Sequence, residues 1–260
     1  MHTFFRIKKY INYWLDAVDE HSLHSPFLYD FFTRIVKPKK DLSEHSAIEQ
    51  LRKKLLHDER VITVDDLGNG SSSLTGNVRK ISDIAKTSLS PQSFSILYSR
   101  IISHYNARNV IELGTSLGIN TLYLASGKKA HVTTFEGSSA IADIATLTFE
   151  FAQAKNINLV LGNIENTLPA FLQSSGKIDV AFIDANHRYE PTRRYFEWLV
   201  QRTHSQSVII LDDIYFSPEM ERAWIEIKKH SMVYTTIDLY RCGLVFFDPS
   251  LNKQHVVLQY

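Results

Sequence analysis

From about residue 95 the sequence alternates short aliphatic runs with amphipathic stretches, and this alternation constrains the fold more than any other feature. The runs NVIELG, HVTTFEG, NLVLGN, DVAFIDA and SVIILDD have strand length and little polar interruption. SFSILYSRIISHY precedes them, and GINTLYLASG, SSAIADIATLTFEFAQAKN, NTLPAFLQSSG, HRYEPTRRYFEWLVQRT and SPEMERAWIEIKKHS separate or follow them, all with helical period. Strands that are apolar throughout are buried on both faces, which is the signature of a parallel sheet covered by helices. MVYTTIDLYRCGLVFFD then reads as two strands around a short turn, an antiparallel hairpin. The expectation is an α/β chain with a doubly wound, mostly parallel, seven-stranded sheet.

The first 90 residues do not share this rhythm. Residues 3–18 place Phe4, Ile7, Ile11, Trp14, Leu15 and Val18 on one helical stripe. Pro26 in HSPFLYDFFTRIV suits a helix start, and residues 44–57 form a third amphipathic segment. VITVDDLGNGSSSLTGNVRKISDIAKTS, with Gly68, Gly70 and Gly76 among serines, reads as a loop, and Asp65 and Asp66 within it are candidates for a lid. The predicted organisation is a helical N-terminal extension over 1–90, with its Gly/Ser loop, followed by a domain over 91–260.

Composition narrows the function classes. A net charge of +1 gives no electrostatic argument for nucleic acid or an acidic partner. No stretch approaches the roughly 20 apolar residues of a membrane span, and the N-terminus lacks the h-region of a signal peptide. The single Cys242 fits a reducing compartment. The expectation is a soluble cytoplasmic enzyme.

In open α/β sheets ligands bind beyond the carboxyl ends of the strands. Polar residues collect there: Glu112 and Gly114, Glu136, Asn163, Asp184, and the pair Asp212–Asp213. Helix capping accounts for one or two such acids, not for acids at four of five strand ends. VIELGTSLGINTLYLA presents E-x-G-x-x-x-G in a strand–turn–helix context. Glycines there allow a sharp turn and close backbone approach. Glu136 ends the next strand 18 residues after Gly118, where an acid can hold both hydroxyls of a ribose; a helix N-terminal acid is the competing reading.

Asp184 ends one strand and Asp212 and Asp213 end the next. Neighbouring parallel strands are about 4.8 Å apart, so these carboxylates can converge. Three together repel unless a cation binds or a proton is taken up. Hard oxygen ligands suit Mg²⁺, with Ca²⁺ or Mn²⁺ as alternatives. Tyr189, Trp198 and Trp224 read as packing residues, and His21 and His24 as N-terminal packing rather than an entrance to a site.

These residues carry a resemblance. VIELGTSLGINTLYLA, TTFEGSS, LGNIENTLP, VAFIDANHRY and VIILDDI, in that order, resemble class I S-adenosylmethionine (SAM)-dependent methyltransferases. Among them the stretch from about 90 to 248 looks most like the metal-dependent O-methyltransferases of the catechol, caffeoyl-CoA and macrolide-sugar types. The resemblance implies the Rossmann-like methyltransferase fold. It implies that Gly114 and Gly118 line the methionine part of the cofactor, with Ser116 between them and Glu112 closing the turn. Asn120 approaches the amino-acid end, Glu136 and Gly137 the ribose, and Asn163 and Ile164 the adenine, with Asp184 beside the cofactor. It also implies that Asp184, Asp212 and Asp213 hold a divalent metal, and that His187 stands where such enzymes keep the base that removes the substrate proton. Histidine titrates near neutrality and serves as a base without a large shift.

The function implied is metal-assisted O-methylation of a small hydroxylated acceptor, with a homodimer through N-terminal helices. A metal-independent methyltransferase on another acceptor and a non-catalytic cofactor-binding or scaffold protein remain as alternatives.

Overall fold

The computed structural model describes residues 2–38, 45–64 and 77–260; the Gly/Ser stretch with Asp65, Asp66, Gly68, Gly70 and Gly76 lies outside the described residues. The chain forms two compact units, Met1–Asp41 with Gly176–Tyr260, and Leu42–Ser175. No helix among the described residues is long and apolar enough to cross a membrane.

The first unit begins with α1 (His2–Asp16) and α2 (Pro26–Phe31). Ser25 caps α2 through the Leu28 amide, and Pro26 sits at the first helical position, where a missing N–H costs nothing. The apolar stripe of α1 is exposed: Phe4, Ile7, Ile11, Trp14 and Leu15 all face solvent, while Tyr13 is the buried residue of that helix. His21 and His24 are exposed too, so they do not pack as expected.

The Leu42–Ser175 unit holds α3 (Ser46–Leu56), β1 (Val61–Thr63), β2 (Val78–Lys80), α4 (Ile81–Ser88) and α5 (Gln92–His104). It continues with β3 (Asn109–Leu113), α6 (Ile119–Leu124), β4 (His131–Glu136), α7 (Ser139–Phe151), β5 (Ile157–Leu161) and α8 (Ile164–Ser174). β3, β4 and β5 are parallel neighbours in that order. The segment read from sequence as a loop is partly regular: β1 and β2 pair antiparallel and α4 follows at once. Ile81, Ile84 and Ala85 give α4 an apolar face, buried with Leu117, Ile119 and Tyr123. Tyr123 donates to Glu49 Oε1 at 2.6 Å, and the buried Arg52 donates to the same oxygen and to the Ser90 carbonyl. Residues 46–64 and 77–88 therefore belong to this unit.

Back in the first unit are β6 (Val180–Ile183), α9 (Tyr189–Val200), β7 (Val208–Leu211), α10 (Pro218–Lys228), β8 (Thr235–Asp238), β9 (Gly243–Phe246) and β10 (Gln254–Val257). β6 and β7 are parallel, β9 runs antiparallel to β7 and to β8, and β10 lies parallel to β8. Every residue of β6, β7, β8 and β9 is buried, as the apolar runs VAFI, VIIL and GLVF require. The eight strands β3 to β10 make a mostly parallel sheet with flanking helices, one strand more than the seven expected. The extra strand is β10, whose QHVV is short, half-buried and polar in part, so it lacks an apolar run by which to read it as a strand.

Candidate active site

In the Leu42–Ser175 unit the turns after β3, β4 and β5 carry the candidate cofactor residues. Gly114 (φ 98°) and Gly118 (φ 82°) take left-handed conformations, and Ser116 between them does so at φ 50°, a cost that a side-chain-bearing residue seldom bears without reason. A Cβ on Gly118 would stand 2.6 Å from Phe149 Cε1, so this glycine admits α7 against the turn. Glu112 is fully buried beneath the turn. Its Oε1 accepts from Asn120 Nδ2 at 3.0 Å, and its Oε2 from the hydroxyls of Thr121 and Thr134. Burial pushes its pKa up to about 7 against those three hydrogen bonds. Glu112 therefore acts from below, fixing the turn and Asn120.

Glu136 accepts the Ser116 amide on Oε2 and the Ser138 amide on Oε1, each at 3.0 Å. Burial raises its pKa, while the amides of Ser138, Ser116 and Gly137 pull it down. Its carboxylate joins the turn after β3 to the turn after β4. Asn163 caps α8 through the Glu165 amide, and Ile164 begins that helix, buried. Ser88 at the end of α4 meets Ser116 across 2.7 Å, a contact that sequence reasoning missed because α4 was hidden in a serine-rich stretch.

Three polar atoms in this half, Ser90 Oγ, Asn120 Oδ1 and Ser138 Oγ, are buried and have no hydrogen-bond partner among the described residues. Such atoms are costly when left unmet; Asn120 lies in the first turn of α6 and Ser138 is the N-cap of α7, so these two stand at the helix starts that follow β3 and β4. The set fits a cofactor rich in hydroxyl, amino and carboxylate groups.

In the other unit the turns after β6 and β7 and the β8–β9 turn carry the acids. Asn186 (φ 64°), His187 (φ 42°) and Asp213 (φ 52°) are left-handed, as is Tyr240 (φ 63°). Together with Ser116, five of the seven such non-glycine residues among the described residues lie on these turns, so strain concentrates where the candidate residues are. His187 Nε2 stands 3.4 Å from Asp184 Oδ1, and its ring lies 5.4 Å from that of Phe216. Ser217 caps α10 through the Met220 amide, so Asp213 is not needed as a cap.

Asp212 has no exposed side-chain surface and accepts Arg241 Nη2 at 2.8 Å, while Arg241 Nη1 is 3.7 Å from Asp213 Oδ1. Burial, then the charge of Asp213, raises the pKa of Asp212; Arg241 and His187 oppose this. Arg241, which sequence reasoning did not single out, thus faces both aspartates. Its only sequence signal is a cation in a turn between two apolar strands.

No group of three or more Asp, Glu, His or Cys among the described residues is arranged to hold a metal ion. With Arg241 already against Asp212 and Asp213, the donor set does not fit the divalent ion expected for it. Tyr189 and Trp198 are half-buried and Trp224 is core.

A family profile described as a methyltransferase domain matches residues 111–214. The catechol O-methyltransferase of Mycobacterium tuberculosis is 32% identical over 111 residues, which are 42% of this chain and 49% of that protein. The chain spans about half the length of the curated relatives it matches. The O-methyltransferase from Bacillus cereus in complex with SAH superposes with a TM-score of 0.55 at 19% identity, covering 85% of this chain and 97% of that one. TomG from Streptomyces achromogenes, an O-methyltransferase involved in tomaymycin synthesis and solved with SAM, gives 0.56 at 19% identity over 62% and 82%. Sequence match and fold agree: residues 111–214 are similar to a methyltransferase domain, and the chain shares its fold with solved O-methyltransferases.

Proposed function

We propose that this chain transfers a methyl group from SAM to a hydroxyl oxygen of a small acceptor. The observation that carries the reading is the pair of buried, unmet polar atoms, Asn120 Oδ1 and Ser138 Oγ, at the starts of α6 and α7 within the stretch that matches a methyltransferase-domain profile. Asn120 would hold the amino-acid end of the cofactor and Glu136 the ribose hydroxyls. Gly114, Ser116, Gly118, Gly137, Asn163 and Ile164 would shape its cradle, and Glu112 holds Asn120 in place from below. When bound, SAM supplies an electrophilic methyl on a sulfonium sulfur. His187 takes the acceptor's proton. Nε2 stands 3.4 Å from Asp184 Oδ1; a proton on Nε2 would leave the Nδ1 lone pair for the acceptor's proton, and the carboxylate would stabilise the imidazolium that forms. The protein's further contribution is positioning.

The divalent ion that the resemblance implied is not part of this proposal, because Arg241 already stands against both of the aspartates meant to hold it, hydrogen-bonded to Asp212 and 3.7 Å from Asp213. The homodimer belongs to the proposal. Phe4, Trp14 and Leu15 on α1 are 78%, 67% and 67% exposed, an apolar stripe that a second copy would cover. Light scattering should then show a dimer that Trp14→Glu dissociates; a monomeric wild type would refute it.

The functional test is transfer of labelled methyl from SAM to a panel of catechols, phenols and sugar hydroxyls. His187→Ala should lower turnover by about 10²- to 10⁴-fold, the usual worth of a general base, and leave cofactor affinity unchanged. Full turnover in that variant would remove His187 from the mechanism.

A further inference from the structure

Arg241 is built into the aspartate pair by more than its side chain. Its turn joins β8 to β9, with Tyr240 left-handed just before it. The Arg241 amide donates to the Leu239 carbonyl at 2.7 Å, and the Arg241 carbonyl accepts the Ile214 amide at 3.2 Å. The turn is therefore stitched by main chain to the residue after Asp213. From that anchor Nη2 reaches the buried Asp212 at 2.8 Å and Nη1 faces Asp213. A guanidinium is planar, always protonated, and matched to carboxylates. A divalent cation would need direct carboxylate contacts of about 2.0 to 2.6 Å, in competition with a fixed positive charge already hydrogen-bonded to one of the two acids.

We propose that Arg241 takes the place of the divalent cation at Asp212 and Asp213, so that this chain's methyl transfer runs without a metal. The proposal rests on the O-methyltransferase reading for its consequence, but not for its geometry. Arg241 is a positioning residue. It supplies the fixed positive charge that keeps Asp212 and Asp213 in place, and the acceptor's proton still passes to His187.

The test is a titration of Mn²⁺ into the full chain, read by electron paramagnetic resonance for bound ion and by the change in Tm. Wild type should bind no stoichiometric Mn²⁺ and show no Tm shift. Arg241→Ala should gain one Mn²⁺ site that raises its Tm, and adding Asp213→Ala should remove that site. Arg241→Lys should behave as wild type towards Mn²⁺, and Arg241→Gln substitutes for the alanine variant if that one fails to fold. Stoichiometric Mn²⁺ binding by wild type, or no gain of a site in either charge-removing variant, overturns the proposal. Binding of S-adenosylhomocysteine (SAH), measured on the same samples, judges the methyltransferase reading separately. If SAH does not bind, that reading fails while the Mn²⁺ result still decides the role of Arg241.

Discussion

Glu112 should make this protein lose stability as the pH rises through neutrality. Its carboxyl is fully buried, and burial lifts its pKa from the ordinary 4.5 to about 7. The folded state therefore holds the proton more tightly than the unfolded chain. Stability from this group is fully present below the unfolded pKa and is lost as pH climbs through the folded one. At about 1.4 kcal/mol per pKa unit, keeping Glu112 ionised in this site costs about 3 kcal/mol, of which about 2.5 kcal/mol accrues between pH 5 and pH 8. Glu112→Gln removes the titration and keeps the shape. The Gln oxygen can still accept from Thr121 and Thr134, and Asn120 can turn its amide so that the unmet Oδ1 receives the new N–H. Urea unfolding of both proteins, free of cofactor, across pH 5 to 8 isolates the group, because residue 112 is the one difference between them. The stability of Glu112→Gln relative to wild type should rise by about 2.5 kcal/mol across that range. A difference that stays flat would refute the buried, proton-holding Glu112.

Gly118→Ala places a Cβ 2.6 Å from Phe149 Cε1 at φ +82°. Overpacking and a left-handed residue together should cost about 2 to 4 kcal/mol, seen as a lowered Tm, which Phe149→Leu should partly restore. An unchanged Tm would mean that α7 does not lean on this turn. Glu136→Gln keeps the shape and one of the two amide bonds from Ser116 and Ser138, but loses the other and removes the charge that would hold ribose hydroxyls. Calorimetry should show SAH affinity falling by about 10- to 100-fold, the worth of hydrogen bonds to a charged acceptor. Undiminished affinity would leave Glu136 a structural strut.

The parallel core was legible because its strands are apolar on both faces, so VAFI and VIIL could be little else. The turns after them were legible for the same reason: a carboxylate such as Asp212 ends an apolar run only where the chain leaves the sheet. β10 and α4 were not legible. The first lacks an apolar run, and the apolar period of Ile81, Ile84 and Ala85 is short and follows a Gly/Ser stretch. Arg241 was illegible for a deeper reason. Sequence spacing places Asp212 and Asp213 side by side but is silent on which distant residue the hairpin folds back over them, 29 positions later. Acids read alone suggested a metal; acids read with their partner suggest a charge already met.

The measurement that bears most directly on the account is calorimetric titration of SAH into the full chain in buffer with EDTA. One SAH per chain should bind, with the same affinity when Mg²⁺ replaces the chelator. No binding in either buffer would contradict the methyltransferase reading, and binding only with Mg²⁺ would contradict the place given to Arg241.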